Sequence, residues 1–180
     1  MHGVVSLLDA EHSGRVEALW TELDKEFGVR GIYVTPFPHF SYQVAERYEV
    51  EALASSLQGI ARDTSPFRVR TAGLGIFTGP EPVLYVPVVR SSELSTFHGR
   101  VSREARRAAS GALDYYAPHN WMPHITLAQS DVDGDVLSRV VRAASGRNLA
   151  WEIRIDNLSL IYDTGSGQEV RLRFGFGCRD

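Results

Sequence analysis

The sequence predicts an α+β fold: one bilobal domain of two pseudo-symmetric β-α-β-α-β-β halves, with largely antiparallel sheets and the helices outside. Three observations carry this. Apolar residues switch between period two and period 3.6 along the chain, Pro- and Gly-bearing turns separate the switches, and the whole order recurs about 85 residues later.

Residues 4–8 are a short apolar run ending at Asp9, which suits a buried strand. Residues 12–27 read as a helix, because Val16, Leu19, Trp20, Leu23 and Phe27 recur at helical spacing and Gly28 stands where a C-terminal stop belongs. A loop rich in proline and aromatics (Tyr33, Pro36, Phe37, Pro38) leads into a strand over 39–44. A second helix covers 50–62, with Leu53, Leu57 and Ile60 on one face. Residues 67–71 alternate with period two, and strands at 74–77 and 83–89 flank the turn at 78–82. The second half repeats the order. A helix over 92–109 passes through Tyr115 and Tyr116 to a Pro-bearing loop and a strand at 124–129. A helix over 133–144, an alternating strand at 151–155 and strands at 158–162 and 169–176 complete it.

The halves align by position. Pro38-His39-Phe40-Ser41 matches Pro123-His124-Ile125-Thr126 at an offset of 124 − 39 = 85. Phe67, Val69 and Thr71 match Trp151, Ile153 and Ile155 at 151 − 67 = 84, and Leu74 and Ile76 match Leu158 and Leu160 at the same 84. A drift of one residue points to an internal duplication. No linker-like stretch divides the halves, so residues 1–180 are expected to form a single domain. Its lobe-forming repeats cover approximately 1–82 and 83–180, and strands can be exchanged between them.

Composition narrows the function classes. A chain of 180 residues can bury a sizeable core, and 43% hydrophobic with 23% charged residues is ordinary for a globular protein. A net charge of −3 and a pI near 6.1 argue against non-specific coating of nucleic acid, while leaving room for a local phosphate pocket. Cys178 is the only cysteine, which excludes a disulfide framework and a cysteine zinc cluster. The N-terminal apolar run is far shorter than a signal peptide or membrane span. The expectation is a cytoplasmic monomer with no membrane association, no cofactor and no obligate protein partner.

In a strand, residues i and i+2 share a face. His39 and Ser41 therefore point one way, as do His124 and Thr126, while Phe40 and Ile125 face an apolar layer. If a pseudo-two-fold axis relates the halves, two imidazoles and two hydroxyls meet across a cleft. Imidazole, with an ordinary pKa near ~6.5, can serve as base when neutral and as acid when protonated. Hydroxyls can hydrogen-bond the non-bridging oxygens of a phosphodiester, where negative charge grows.

These residues carry a resemblance. Pro38-His39-Phe40-Ser41-Tyr42 and Pro123-His124-Ile125-Thr126-Leu127 resemble the paired His-x-[Ser/Thr]-x (HxTx) motifs of the two-histidine phosphoesterase superfamily, which includes 2′-5′ RNA ligase-like proteins and RNA cyclic phosphodiesterases. The likeness spans nearly the whole chain. It implies a bilobal fold with the motifs facing each other, acid or base roles for His39 and His124, and phosphate contacts from Ser41 and Thr126. It also implies a substrate that is a nucleotide or an RNA end bearing a phosphodiester. Some RNA-directed members have a basic residue shortly after the second motif. Here Gln129 stands there, and strand parity turns it away from the His124 face.

Several alternatives stay open on the residues alone. Phe37 and Trp121, just before the two motifs, either stack on a nucleobase or pack within their loops. His119 could join His39 and His124 around a metal, although no Asp or Glu lies at ligand-like spacing. Arg100, Arg103, Arg106 and Arg107 form either a solvated helix face or an RNA contact, and some of Arg68, Arg70, Arg154, Arg171 and Arg173 could reach the cleft. His2, His12 and His98 have no supporting pattern and are expected at the surface. The leading expectation is a metal-independent phosphoesterase that hydrolyses, or reversibly ligates, cyclic or 2′-5′ nucleotide phosphodiesters. The rivals are a non-catalytic nucleotide- or RNA-binding module of the same fold, and a His-based metal-dependent hydrolase.

Overall fold

The computed structural model describes residues 1–177, so Cys178 lies outside the described residues. The first half contains β1 (His2–Leu7), α1 (Ala10–Phe27), β2 (His39–Tyr48), α2 (Val50–Arg62), β3 (Phe67–Arg70) and β4 (Gly75–Phe77). The second contains β5 (Val83–Pro87), α3 (Ser92–Arg107), β6 (Ala109–Ala112), β7 (His124–Ala128), α4 (Gly134–Ser145), β8 (Glu152–Ile155), β9 (Asn157–Asp163) and β10 (Gln168–Gly175). Short 3₁₀ turns lie at Gly31–Val34 and Asp114–Tyr116.

Two elements depart from the expected order. The helix expected to reach residue 109 stops at Arg107, and Ala109–Ala112 becomes a strand. Its small residues show no apolar alternation, so nothing local marks it. Pairing with the far end of β2, which runs on to Tyr48, makes it a strand.

Strand pairing is antiparallel throughout the ladders. One sheet has the order β10-β9-β1-β2-β6, a second has β4-β5-β7, and β3 pairs with β8 as a ribbon. The triplets β9-β1-β2 and β4-β5-β7 are counterparts: β4 of the first half completes the sheet of the second, and β9 of the second completes the sheet of the first. A bridge from Thr71 to Val88 joins the ribbon to the second sheet. In the ribbon Val69 faces Ile153, which are equivalent positions at the 84-residue offset. The pseudo-two-fold axis therefore passes between them.

Helices α2 and α3 cover the five-stranded sheet, while α1 packs on β7 and against α4. Leu53, Leu57, Phe97 and Val101 join Phe40 and Tyr42 in the core. Each such side chain stabilises the fold by about 1.5–3 kcal/mol relative to exposure. Asp9 starts α1 by accepting from the His12 backbone N–H at 2.9 Å, and Gly28, at φ 73°, ends it in a conformation that disfavours side chains with a Cβ. No helix among the described residues is long and apolar enough to cross a membrane.

The surface expectation for three histidines is corrected, since His2, His12 and His98 are all buried. Each ring is matched by a structural partner. His12 Nδ1 lies 2.7 Å from Asp9 Oδ1, and His2 Nδ1 accepts from the Asp163 N–H at 3.0 Å while its ring stacks on Tyr162. His98 Nε2 donates to the carbonyls of Tyr42 and Tyr116 at 3.0 and 3.1 Å, and its ring lies flat on Trp121 at 3.7 Å.

Candidate active site

Both motif strands begin at their histidine, and the preceding proline shapes the entry. The Leu8 N–H donates to Pro38 O at 3.0 Å and the Val88 N–H to Pro123 O at 2.9 Å, the same bond in each half. A residue before proline is held extended. The carbonyls of Phe37 and Met122 then meet the imidazoles: His39 Nδ1 donates to Phe37 O at 2.5 Å and His124 Nδ1 to Met122 O at 2.7 Å. A carbonyl only accepts, so each neutral ring carries its proton on Nδ1 and leaves a lone pair on Nε2. His39, Ser41, His124 and Thr126 all line one cavity of about 310 Å³. Neither hydroxyl has a protein hydrogen-bond partner among the described residues, which leaves both free for a ligand.

The same irregularity follows both hydroxyls. Val5 faces Ser41 and Val4 faces Gln43, skipping Tyr42; Tyr85 faces Thr126 and Leu84 faces Ala128, skipping Leu127. A β-bulge of this kind shifts the in–out alternation by one residue. Tyr42 and Gln43 are consequently both buried, as are Leu127 and Ala128, and Val44 and Gln129 return to the cavity wall. The parity that turned Gln129 away from the His124 face is thus corrected. The carbonyls at the bulges take indole donors, Trp121 Nε1 to Ser41 O at 2.8 Å and Trp20 Nε1 to Thr126 O at 3.1 Å.

Trp121 is 1% exposed, with its N–H committed to Ser41 and its face to His98. Base stacking by Trp121 is therefore corrected to a packing role. Phe37 contributes its carbonyl to His39, and its half-buried ring stays outside the cavity lining. His119 is exposed and lies 3.8 Å from Asp114 Oδ2, away from the other two histidines' cavity. Among the described residues, no group of three or more His, Cys, Asp or Glu side chains converges to hold a metal. The α3 arginines are largely paired, Arg103 and Arg107 with Glu104 and Arg106 with Asp114. Among the strand arginines, Arg68 pairs with Glu152, Arg154 with Asp156, and Arg171 lies over Tyr162. No arginine lines the cavity among the described residues.

Two contributions were missed. Phe77, Tyr115 and Tyr116 line the cavity, and Phe77 meets His124 edge-on at 4.9 Å. Tyr85 backs Phe77 at 4.1 Å, over Gly75, where a Cβ would stand 2.4 Å from the Tyr85 ring. The glycine opposite an aromatic in a paired strand is the signal that could have found this wall. Asn157, for its part, imitates a strand partner, bonding the Leu7 N–H at 3.0 Å and the Leu7 carbonyl at 2.9 Å. Leu7 in turn pairs with His39.

Burial dominates the electrostatics. It pulls His39 down to about 4, against the Phe37 carbonyl, with the charge of His124 adding to the depression. Burial also lowers His124, against the Met122 carbonyl. Both rings are therefore neutral at pH 7, and each can take a proton at Nε2. A phosphate oxyanion bound between them would favour the protonated form of one ring.

A pseudo-two-fold fold that presents a histidine–hydroxyl strand from each half to a common cleft is that of the two-histidine phosphoesterases. The profile of the 2′-5′ RNA ligase superfamily matches residues 8–167, and the chain belongs to that superfamily. It is 24% identical over 128 residues, 69% of this chain and 71% of the other, to a protein of Oceanobacillus iheyensis bearing the name "Putative phosphoesterase OB1230". Among solved structures, TT0787 of Thermus thermophilus superposes with a TM-score of 0.67 at 18% identity, covering 99% of each chain. Usb1 of Kluyveromyces marxianus superposes at 0.52 with 10% identity, covering 97% of this chain and 96% of that one. The structure of that Usb1 with uridine monophosphate gives 0.50 at 13% identity, covering 97% and 98%. These likenesses establish the fold.

Proposed function

We propose that the chain is a metal-independent phosphoesterase that cleaves a cyclic or 2′-5′ nucleotide phosphodiester by paired histidine acid–base catalysis. The observation that carries this is the duplicated polar set. Two imidazoles with free Nε2 atoms and two unpartnered hydroxyls line one cavity, each pair held by the same backbone bonds. One Nε2 takes a proton from the attacking water or ribose hydroxyl as the new P–O bond forms. The other, protonated, gives its proton to the oxygen that leaves phosphorus. Ser41 and Thr126 donate to the non-bridging oxygens, where charge grows in the transition state. Superfamily membership and the phosphoesterase name of the Oceanobacillus relative support the same chemistry. The reversal, ligation, uses the same groups with a ribose hydroxyl as acceptor.

The test is turnover of a panel of 2′,3′-cyclic nucleotides, 2′-5′ dinucleotides and 3′-cyclic-ended RNA, with His39→Ala and His124→Ala. Each substitution is expected to lower kcat by ~10²–10⁴-fold, and EDTA to leave activity intact. Robust turnover by either variant would overturn the two-histidine mechanism, and loss with EDTA restored by Zn²⁺ would install a metal enzyme instead.

A further inference from the structure

The two catalytic strands are near-copies, but the walls beside them are not. Tyr85 faces Thr126 as Val5 faces Ser41, and Phe77 pairs with Val83 as Ile161 pairs with Gly3. Two aromatic positions beside His124 thus correspond to aliphatic positions beside His39. On the His124 side, Phe77 and Tyr115 form a corner, their rings 5.7 Å apart and at 86°. Tyr115 is 40% exposed, and both residues line the cavity. Burial of His98 keeps this corner in place, since its Nε2 holds the Tyr116 carbonyl next to Tyr115.

The wall is also poor in charge. Among the described residues neither Arg nor Lys lines the cavity, and the Met1 ammonium at its edge is paired with Asp163 at 3.1 Å. The positions just beyond the two bulges, facing the cavity, are Val44 and Gln129. Elsewhere in the lining, Thr35 Oγ1 donates to Gln168 Oε1 at 2.6 Å, a neutral pair. Tracking a nucleic-acid backbone requires Lys or Arg at successive phosphates. A cavity of about 310 Å³ is at the small end of ligand sites, which run to ~1,000 Å³.

We infer that the cavity takes a single nucleotide unit with one negative charge, such as a nucleoside 2′,3′-cyclic phosphate, with its base against the Phe77–Tyr115 corner. This rests on the phosphoesterase proposal above and selects the substrate within it. One phosphodiester charge is met by two hydroxyls and one protonated imidazole. Further phosphates have no arginine or lysine in the lining to meet. The corner also orients the ligand, because the aromatic positions of Phe77 and Tyr85 beside His124 correspond to aliphatic Ile161 and Val5 beside His39.

The test compares kcat/KM for adenosine 2′,3′-cyclic phosphate, for base-free methyl riboside 2′,3′-cyclic phosphate, and for a hexanucleotide RNA ending in a 2′,3′-cyclic phosphate. The nucleotide is expected to exceed the base-free sugar by ~10-fold or more, as one stacked base is worth. The hexanucleotide is expected to match the mononucleotide within ~3-fold, with kcat/KM nearly flat between ~50 and ~200 mM salt. Phe77→Ala and Tyr115→Ala should shrink the nucleotide-to-sugar ratio toward one. A hexanucleotide preferred by more than ~10-fold, with a steep salt dependence, overturns this inference and leaves the phosphoesterase proposal standing. So does a base preference untouched by both substitutions. Turnover of no phosphodiester in the panel overturns the phosphoesterase proposal, and this inference with it.

Discussion

The indole N–H of Trp121 donates a 2.8 Å hydrogen bond to the carbonyl oxygen of Ser41, at the bulge in the first histidine–hydroxyl strand. Trp20 does the same for Thr126 at 3.1 Å, although the two tryptophans are not equivalent positions in the repeat. Two unrelated side chains have converged on one task, holding the backbone beneath each hydroxyl.

Removing that support tests whether it matters for catalysis. Trp121→Phe keeps most of the apolar volume and deletes the donor, leaving the Ser41 carbonyl without its indole partner. The unfolding free energy should fall by about 1–3 kcal/mol. Steady-state kinetics should show kcat down ~10-fold with KM little changed, since a small displacement of a positioned group acts on the chemical step. A lowered Tm with unchanged kcat would show that the bond is structural alone.

The hydroxyls themselves should behave differently. Ser41→Ala and Thr126→Val remove groups with no protein partner among the described residues, so Tm should move little. Each should lower kcat by ~10²–10³-fold, the scale for one transition-state donor. A double-mutant cycle measures whether the two share one phosphate: a combined loss smaller than the product of the single losses indicates that they do.

Acid should destabilise the protein over a defined window. His39 and His98 are held down to about 4 by burial, whereas in the unfolded chain both titrate near the ordinary value of 6.5. Between those values the unfolded state binds more protons, so stability rises with pH there. It is fully present above the unfolded value and is lost as pH falls toward about 4, at ~1.4 kcal/mol per pKa unit for each ring. Unfolding midpoints in urea, measured from pH 7 to 4, should fall monotonically, and His98→Phe should flatten the curve. The same depression places the optimum of kcat/KM below pH 6.5, because the acid must be protonated in the free enzyme.

Gly75 is expected to be intolerant of any side chain. A Cβ there would stand 2.4 Å from the Tyr85 ring, which supports Phe77 and faces Thr126. Gly75→Ala should cost about 1–3 kcal/mol and lower kcat/KM for a base-bearing substrate. Ring-current-shifted resonances of Phe77 and His124 in an NMR spectrum would report the displacement directly.

Much of the fold was legible because its signals are local. Period-two alternation at 67–71 and 151–155 marks β3 and β8 wherever they pair, and helical spacing in 12–27 marks α1. The candidate site was legible through repetition, since Pro-His-x-hydroxyl occurs at equivalent places in both halves. β6 was not, because four small residues become a strand only when β2 offers an edge. The two readings of Trp121 stayed open for the same kind of reason: whether a loop aromatic faces a ligand or a buried histidine depends on what packs over it.

By itself, the sequence determined the strand and helix order apart from β6, the duplication, and the shared face of each histidine and hydroxyl, all consequences of short-range periodicity and its repetition. Tertiary structure decided the rest. Exchange of β4 and β9 between the sheets and the self-pairing of β3 with β8 are long-range choices. The bulges after Ser41 and Thr126 arise from register between partner strands, and they alone turn Gln129 into the cavity. The aromatic corner at Phe77 and Tyr115 joins residues distant in sequence, and no local pattern brings them together. A repeat encodes a symmetric floor of histidines and hydroxyls, whereas the walls that break the symmetry depend on which side chains the folded chain packs beside it.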